Sequence, residues 1–281
     1  MNKKIQYIWI SKLEINNKLK KKAIEILGGI NEFYNSSLDD LVYLGFNDNN
    51  ISKILDFKLK KEALKDYEYL LKHSIDIIGI EDTDYPQKLK LINEKPITLY
   101  IRGNKNVINE DCLGIVGSRI AEKESLYVAK EIAKIVSLNE INVISGLARG
   151  IDKFAHLGCL EINKGKTIAV MGTGIDDESI YPFENKKVFD RILENEGLII
   201  SEYPLKTKPL PYNFPYRNRI ISGLSDGIVV VQASKNSGSL ITVDYAIEQG
   251  KDVYVYKGKS IDKEYFAGNK MLIESKWIIY K

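Results

Sequence analysis

The chain has 281 residues, 44% of them hydrophobic and 28% charged, which is typical of a globular protein with one large domain or a large and a small one. Its 41 basic and 38 acidic residues leave a net charge of +3, so overall charge singles out no polyanionic partner. No stretch reads as a signal peptide or a membrane span, and we expect a cytoplasmic protein without a membrane partner. Cys112 and Cys159 lie in apolar surroundings, which predicts buried thiols rather than a disulfide or metal ligands.

Residues 1–73 are predicted to form a small helical module. Apolar residues recur at three- and four-residue spacing, and glycine, asparagine and serine turns interrupt the pattern near residues 28, 36 and 46. A run of lysines in this module is predicted to form a solvated face rather than a DNA contact. These lysines are Lys18, Lys20, Lys21 and Lys22.

From residue 74 to residue 281 the pattern changes to strands that alternate with helices. Short apolar, β-branched runs predict strands at 75–80, 98–101, 113–116, 141–145, 167–171, 198–201, 227–231 and 252–256. Helical patterns at 124–138, 153–163, 186–194 and 240–250 separate most of the later strands. This alternation predicts an α/β domain with helices on both faces of a mostly parallel sheet.

Four of these strands run into glycine-containing loops that we expect at one edge of the sheet. Ligands of such sheets bind beyond the carboxyl ends of the strands, and backbone amides at a helix start can hold a phosphate. Each loop alone is also a common structural link, but four together favour an extended anion site. The loops are Gly117-Ser118-Arg119, the segment 145–152 with Gly146 and Arg149, Gly172-Thr173-Gly174, and the segment 237–242 that begins Ser237-Gly238-Ser239.

The loops carry no recognisable catalytic set. The dinucleotide fingerprint lacks its third glycine, and there is no GxxxxGK[ST] phosphate loop. His156 is predicted to be a packed or capping residue, Asp152 to cap a helix, and Asp244 to lie within one. The sequence therefore predicts a protein that is not an enzyme and that needs neither cofactor nor metal.

The segment 203–219 holds four of the seven prolines, four basic residues, four aromatic residues and no acid. We expect the prolines to keep it as an open loop. Cations can follow the phosphates of an unpaired nucleic-acid strand, and rings can stack on its bases at about 1–3 kcal/mol per base. The alternative is a loop whose rings pack on the sheet. The cations and rings are Lys206, Lys208, Arg217, Arg219, Tyr203, Tyr212, Phe214 and Tyr216.

An ordered set of motifs resembles the DNA-processing protein A family (DprA, also called Smf). No single motif is specific, but their order across residues 85–273 is. The matching segments are Asp84-Tyr85-Pro86, 96–100, Gly117-Ser118-Arg119, 145–152, 172–174 with Tyr181-Pro182, 214–221, 223–225, 237–242 and 248–250.

The resemblance implies an extended Rossmann-like domain that binds single-stranded DNA, forms a homodimer and helps to load the RecA recombinase during natural transformation. It also implies that residues 1–73 form a sterile-alpha-motif-like or helix-hairpin-helix module, and that the C-terminal winged-helix domain of many members is absent. The expected DNA contacts are Gly117, Ser118, Arg119, Gly146, Arg149, Lys206, Lys208, Phe214, Arg217, Asn218, Arg219, Ser237, Gly238 and Ser239.

Two other classes of function stay open. A Rossmann-like fold with these loops could bind or hydrolyse a small nucleotide, although the segment 237–242 lacks the glycine cluster and glutamate of the PGGxGTxxE signature in related nucleotide-processing enzymes. The chain could also be a scaffold for partner proteins.

Overall fold

The computed structural model describes residues 2–162 and 164–275. Six helices come first, and several begin at residues whose side chains accept a hydrogen bond from a first-turn amide, as Asn16, Ser37 and Asp56 do. This confirms the helical prediction for the first part of the chain. The six helices are α1 (Lys3–Lys12), α2 (Asn17–Leu27), α3 (Ile30–Tyr34), α4 (Leu38–Tyr43), α5 (Asp48–Ile54) and α6 (Phe57–Lys72).

Eight strands then form one sheet in the order β1-β2-β6-β5-β4-β3-β7-β8. The pairs β1–β2 and β2–β6 are antiparallel, and all the others are parallel. The predicted α/β fold with a mostly parallel sheet is therefore confirmed. The strands are β1 (Ile75–Gly79), β2 (Thr98–Gly103), β3 (Cys112–Val116), β4 (Asn142–Ser145), β5 (Thr167–Val170), β6 (Leu198–Ser201), β7 (Gly227–Val230) and β8 (Asp252–Val255).

Seven further α-helices lie between or after the strands in the described part of the chain. They are α7 (Gln87–Lys90), α8 (Lys123–Leu138), α9 (Ile151–Cys159), α10 (Lys186–Glu194), α11 (Asn213–Leu224), α12 (Ser239–Glu248) and α13 (Ala267–Glu274). Residues of α8 and α9 pack on one face of the sheet, and residues of α11 and α12 pack on the other. The predicted helix 153–163 ends earlier, at Cys159, and its last residue, Asn163, lies outside the described residues.

The order of the strands reverses beside β3. The chain passes from β3 to β4, β5 and β6 on one side, then returns to place β7 and β8 on the other side. Loops that leave β3 and β7 at their carboxyl ends therefore diverge and leave a crevice between them. Such a reversal is the usual ligand position in an open parallel sheet.

The core of the N-terminal helices continues into the sheet. Tyr7 and Trp9 of α1 are fully buried in the same cluster as Tyr100 of β2 and Ile199 of β6. A Cβ atom built on Gly79 of β1 would lie 1.8 Å from Cζ of Tyr7, so the strand passes directly against that ring. The helical module is thus packed on the sheet edge formed by β1 and β2.

Two expectations about local structure are wrong. The segment 203–219 is an open loop only as far as Tyr212, because α11 begins at Asn213; Pro215 lies in the first turn, where its missing N–H removes no intrahelical hydrogen bond. Lys20 is not on a solvated face: it is 5% exposed, because α2 turns this position toward the sheet. In the part of the chain that the structure describes, no helix is long and apolar enough to cross a membrane.

Candidate nucleic-acid interface

A pocket of about 450 Å³ opens at the carboxyl ends of β3 and β7, where the strand order reverses. We call it the switch pocket. Its walls are the loops that follow these two strands and the first turns of α11 and α12. The predicted contact residues that line it are Gly117, Ser118, Arg119, Phe214, Arg217, Asn218, Ser237, Gly238 and Ser239.

Hydrogen bonds to the loop after β7 and to the start of α9 hold the loop 117–119 in place. The Ser118 amide donates to the Gln232 carbonyl at 2.7 Å, and the Ser118 carbonyl accepts from the Ile151 amide at 3.2 Å. Gly150 has φ 70° and ψ −128°, a conformation that is costly for residues with a side chain. A Cβ atom there would lie 2.2 Å from the Ser118 carbonyl oxygen, so glycine at position 150 lets the two loops touch.

Arg119 and Phe214 face each other at the pocket. The Arg119 guanidinium lies 5.2 Å from the centre of the Phe214 ring, within the range of a cation–π contact. Phe214 is half-buried against Gly172, where a Cβ atom would lie 2.8 Å from the ring. Arg119 is exposed, and no carboxylate of the described residues forms an ion pair with it. Its donors are therefore available to an anion.

Arg217 lies beneath this pair as the floor of the pocket. It is 3% exposed, and its guanidinium donates to the Gly146 carbonyl at 2.9 Å and to the Val170 carbonyl. Burial lowers its pKa to about 10, and the attraction of Asp152 opposes that shift, so Arg217 stays cationic at neutral pH. A Cβ atom on Gly146 would lie 2.4 Å from the guanidinium. Gly146 thus makes room for Arg217 and does not line the pocket.

Asp152 and His156 support the floor from α9. The Asp152 carboxylate accepts from the Gly146 amide at 3.1 Å, so it ties the preceding loop and does not cap the helix as predicted. Burial raises the pKa of Asp152, while Arg217 acts in the opposite direction.

His156 donates from Nδ1 to the Thr167 hydroxyl at 2.7 Å, because that hydroxyl already donates to the Val143 carbonyl. Its Nε2 atom is buried without a partner, and burial lowers its pKa to about 3. The prediction of a packed histidine is confirmed, and a neutral buried ring of this kind is not placed to act as a base.

The first turn of α12 closes the pocket opposite Arg119. The N-cap residue Gly238 has no side chain, and Ser237 takes up the first amides: the Ser239 amide donates to the Ser237 hydroxyl at 3.4 Å and the Leu240 amide to the Ser237 carbonyl at 3.0 Å. The hydroxyls of Ser237 and Ser239 are 2.8 Å apart, and Asn218 of α11 donates to the Gly238 carbonyl at 3.2 Å. A helix start with two hydroxyls beside it presents the positive end of the helix dipole and two hydrogen-bond donors to an anion.

Four predicted contacts lie outside the pocket, in addition to Gly146. Arg149 is exposed but forms a two-pronged ion pair with Glu184. Lys206 and Lys208 are exposed in the loop before α11, where the Lys206 amide donates to Asp176 at 2.8 Å.

Arg219 is 1% exposed and lies on the far side of α11 from the pocket lining. It pairs with Glu202 through contacts of 2.5 and 2.6 Å, and its Nε donates to the Glu94 carbonyl at 2.8 Å. Its guanidinium is 3.7 Å from the centre of the Tyr216 ring. Arg219 therefore joins α11 to β6 and to the loop before β2.

Several residues that line or support the pocket were not among the predicted contacts. Gln232, which holds the loop 117–119 through its carbonyl, also accepts from the Glu122 amide through its side chain at 3.0 Å. It lies two residues after the end of β7, at the carboxyl edge of the sheet where ligand-binding loops are expected, so its position could have selected it. Ala148, Asp152 and Thr242 also line the pocket and belong to the predicted loops 145–152 and 237–242. The lining residues outside the predicted loops and contacts are Val116, Ile120, Pro211, Pro215, Ile221 and Ser234. Across residues 2–162 and 164–275, no group of three or more His, Cys, Asp or Glu side chains could hold a metal ion.

The fold is that of a Rossmann-like α/β protein. The crevice at its strand-order reversal is lined by Arg119, Phe214 and the serines at the start of α12. The chain belongs to the DNA recombination-mediator protein A family, whose model matches residues 76–280. The resemblance inferred from the motifs is thereby confirmed.

Relatives from several bacteria agree with this assignment. The DNA processing protein DprA of Streptococcus pneumoniae is 43% identical over 186 residues, which are 66% of this chain and 64% of that protein. Protein Smf of Synechocystis is 39% identical over 217 residues, 75% of this chain and 53% of that protein. The chain thus spans between about half and two thirds of the length of these two relatives.

Two solved structures share the fold. The X-ray structure of DprA from Streptococcus pneumoniae superimposes with a TM-score of 0.78 at 32% identity and covers 98% of this chain and 92% of that one. The Helicobacter pylori DprA structure, described for its single-stranded DNA binding mode, gives a TM-score of 0.64 at 26% identity and covers 73% of this chain and 90% of that one.

Proposed function

We propose that this chain binds single-stranded DNA in the switch pocket. The observation that carries the proposal is the exposed Arg119 guanidinium, which no described carboxylate neutralises, above the Phe214 ring at the strand-order reversal. A cation beside an aromatic face matches a strand that offers a phosphate and an unstacked base together. The relative from Helicobacter pylori, which is known for binding single-stranded DNA, supports the same ligand.

Each group in the pocket has a distinct part in this binding. Arg119 and the Ser118 hydroxyl bind a phosphate, and the start of α12 with the hydroxyls of Ser237 and Ser239 binds it or the next one. Phe214 stacks on a base. Arg217 contributes positive potential from the floor while its donors stay on the Gly146 and Val170 carbonyls. Since these contacts go to phosphates and ring faces, binding does not depend on sequence.

The other predicted cations act at a distance from this centre. Lys206 and Lys208 are exposed and meet flanking phosphates, whereas Arg149 would have to leave Glu184 to do so. Arg219 remains in its ion pair with Glu202 and positions α11.

We also propose, from family membership, that the protein protects incoming single strands and helps to load RecA in natural transformation, and that it acts as a homodimer. A RecA ATPase assay on single-stranded DNA, with and without this protein, tests the loading step. Light scattering at tens of micromolar tests the dimer, and a monomer mass would count against it.

Fluorescence anisotropy of a labelled oligonucleotide, as a single strand and as its matched duplex, tests the main proposal. We expect a clear preference for the single strand, because a base inside a duplex cannot stack on Phe214. Equal affinity for the single strand and the duplex would mean that the site binds phosphates alone. It would contradict the stacking role of Phe214.

A small-nucleotide site is the second candidate, because the pocket lies where nucleotides bind in related folds. The one acidic residue among the lining residues described, Asp152, is buried and already accepts from Gly146. The pocket therefore favours binding over hydrolysis. Absence of oligonucleotide binding at low salt, together with thermal stabilisation by a nucleoside phosphate, would favour this candidate.

A further inference from the structure

A second pocket of about 450 Å³ lies between the N-terminal helices and the segment 203–216. We call it the junction pocket. Residues 10–15 and Lys20 form one side, and Thr98 of β2 and Glu202, next to β6, form its base. The other side is formed by Tyr203, Pro204, Thr207, Leu210, Tyr212, Asn213 and Tyr216.

Lys20 is the unusual group in this pocket. Its side chain lines the cavity and is 5% exposed, yet no described residue accepts a hydrogen bond from its ammonium group or forms an ion pair with it. Burial lowers its pKa to about 8, against a weaker opposing attraction from Glu202. The Glu202 carboxylate is already held at both oxygens by Arg219. Lys20 is therefore a largely buried side chain whose ammonium group has no partner among the described residues and still reaches solvent.

A buried charge without a partner costs free energy, and proteins seldom keep one that has no use. The other lysine of the pocket, Lys12, shows the contrast, because it pairs with Asp66 at 2.6 Å. Lys20 is arranged to receive an anion that the described residues do not supply.

The junction pocket opens at the same sheet edge as the switch pocket. Tyr100 of β2 pairs with Ser201 of β6, so Thr98, at the start of β2, lies beyond the carboxyl end of β6. The first turn of α11 separates the two pockets: Phe214 and Pro215 line one, and Tyr212, Asn213 and Tyr216 line the other. Four strand spacings lie between the two positions, which is about 19 Å.

We propose that the junction pocket is a second phosphate subsite for the DNA strand, in which Lys20 binds a phosphate after the strand has crossed the start of α11. Tyr212, which is 69% exposed beside the pocket, offers a ring for a base on that path. The inference rests on the proposed function. It gives the N-terminal helices a direct part in DNA binding.

The test compares wild type with Lys20→Met on labelled oligothymidylates from about 4 to about 20 nucleotides. Lys22→Met, an exposed neighbour on the same helix, is the matched control. Wild-type affinity should rise in a step once the strand is long enough to reach both pockets. Lys20→Met should lose that step, about tenfold in affinity, and should lower the salt slope for long strands by about 0.7, with short strands unaffected.

The outcomes separate this inference from the proposed function. Short strands that still bind and depend on Arg119, together with unchanged affinity of Lys20→Met for long strands, would overturn the second subsite and leave the switch pocket intact. Equal losses for the shortest and longest strands would also overturn it, since they indicate a general structural effect.

Thermal shift with inorganic phosphate and with AMP identifies another source of the anion. One outcome would overturn the assignment to the DNA strand: phosphate or AMP stabilises the wild type, Lys20→Met abolishes that stabilisation, and the variant keeps the wild-type affinity for DNA. The melting temperature of Lys20→Met itself should stay equal or rise, because the variant removes an unpartnered buried charge. A fall would show that Glu202 and Lys20 form a structural pair and would contradict the inference.

Discussion

At the residue scale, the four predicted arginines differ in what already occupies their donors. Arg149 and Arg219 form ion pairs with glutamates, and the Arg217 guanidinium donates hydrogen bonds to two backbone carbonyls. Arg119 has none of these partners within the described residues. A sequence motif cannot tell a paired arginine from an unpaired one, because the partners Glu184 and Glu202 lie 35 and 17 residues away along the chain.

Phe214 should contribute to DNA affinity mainly by stacking. Phe214→Ala is expected to weaken binding of a single-stranded oligonucleotide by about 1–3 kcal/mol, and Phe214→Tyr should retain most of the affinity. Anisotropy titrations measure both. Phe183→Ala is the control, because Phe183 is 75% exposed and outside the lining of the switch pocket. Equal effects of the two alanine variants would remove Phe214 from the interface.

Gly150 should be needed for the position of the loop 117–119. Gly150→Ala places a Cβ atom against the Ser118 and Arg119 carbonyl oxygens, at 2.2 and 2.6 Å, so both stability and DNA affinity should fall. Gly250→Ala is the control: φ is also positive there, at 68°, but nothing lies within 4 Å of the new atom.

We expect Gly250→Ala to cost about 1 kcal/mol in the free energy of unfolding. Gly150→Ala should cost about 1–3 kcal/mol more, because overpacking against the loop 117–119 adds to the backbone strain. Urea unfolding gives the two values. Similar costs would show that the contact between the loops relaxes freely.

At the element scale, the parallel strands and their loops could be predicted from sequence because buried strands are short β-branched runs that end in glycine or small polar residues. Helix α11 could not, because prolines at 209, 211 and 215 suggest a loop, and only the third of them lies in the helix. The burial of Lys20 could not be predicted either, since it belongs to a run of lysines in which Lys18 and Lys22 are exposed and Lys21 is half-buried. The start of α11 at Asn213 decides which of the two pockets Tyr212, Phe214 and Tyr216 line.

Packing of α9 on the sheet should depend on pH through His156. Its pKa lies at about 3 in the folded protein against 6.5 ordinarily, so the unfolded chain binds the extra proton between these values. The contribution of a neutral His156 is therefore complete above pH 6.5 and is lost as pH falls toward 3, with a slope of up to about 1.4 kcal/mol per pH unit.

Urea unfolding at a series of pH values, for wild type and His156→Gln, measures this contribution. The difference in stability between the two proteins should shrink as the pH is lowered below 6.5. His73→Gln, at an exposed histidine, is the control. A difference that stays constant with pH would mean that His156 titrates alike in the folded and unfolded chains.

At the scale of the whole molecule, the predicted division at residue 73 marks a change of pattern but not a gap in the core. Tyr7 and Trp9 are buried in one cluster with residues of β2 and β6, and Lys20 lines a pocket shared with the α/β part. Sequence periodicity shows where helices give way to strands. It does not show that the two parts share a core, because those contacts join residues about 90 positions apart, as between Thr98 and Tyr7.

The two parts should therefore unfold together. In a Trp277→Phe background, in which Trp9 is the remaining tryptophan, urea transitions followed by Trp9 fluorescence and by far-UV circular dichroism should coincide. Gly79→Ala, which forces an atom into the Tyr7 ring, should shift both transitions by about 3 kcal/mol. A Trp9 transition at clearly lower urea would show that the module unfolds alone.

The salt dependence of DNA binding by Arg119→Ala tests the role of the switch pocket most directly. Anisotropy titrations across a salt series, for wild type, Arg119→Ala and the exposed but paired Arg149→Ala, give the affinity and the salt slope of each protein. We expect Arg119→Ala to weaken single-stranded DNA of any sequence and to reduce the slope by about 0.7, while Arg149→Ala has a smaller effect. If Arg119→Ala kept the affinity and the salt slope of the wild type, the assignment of the DNA site to the switch pocket would be contradicted.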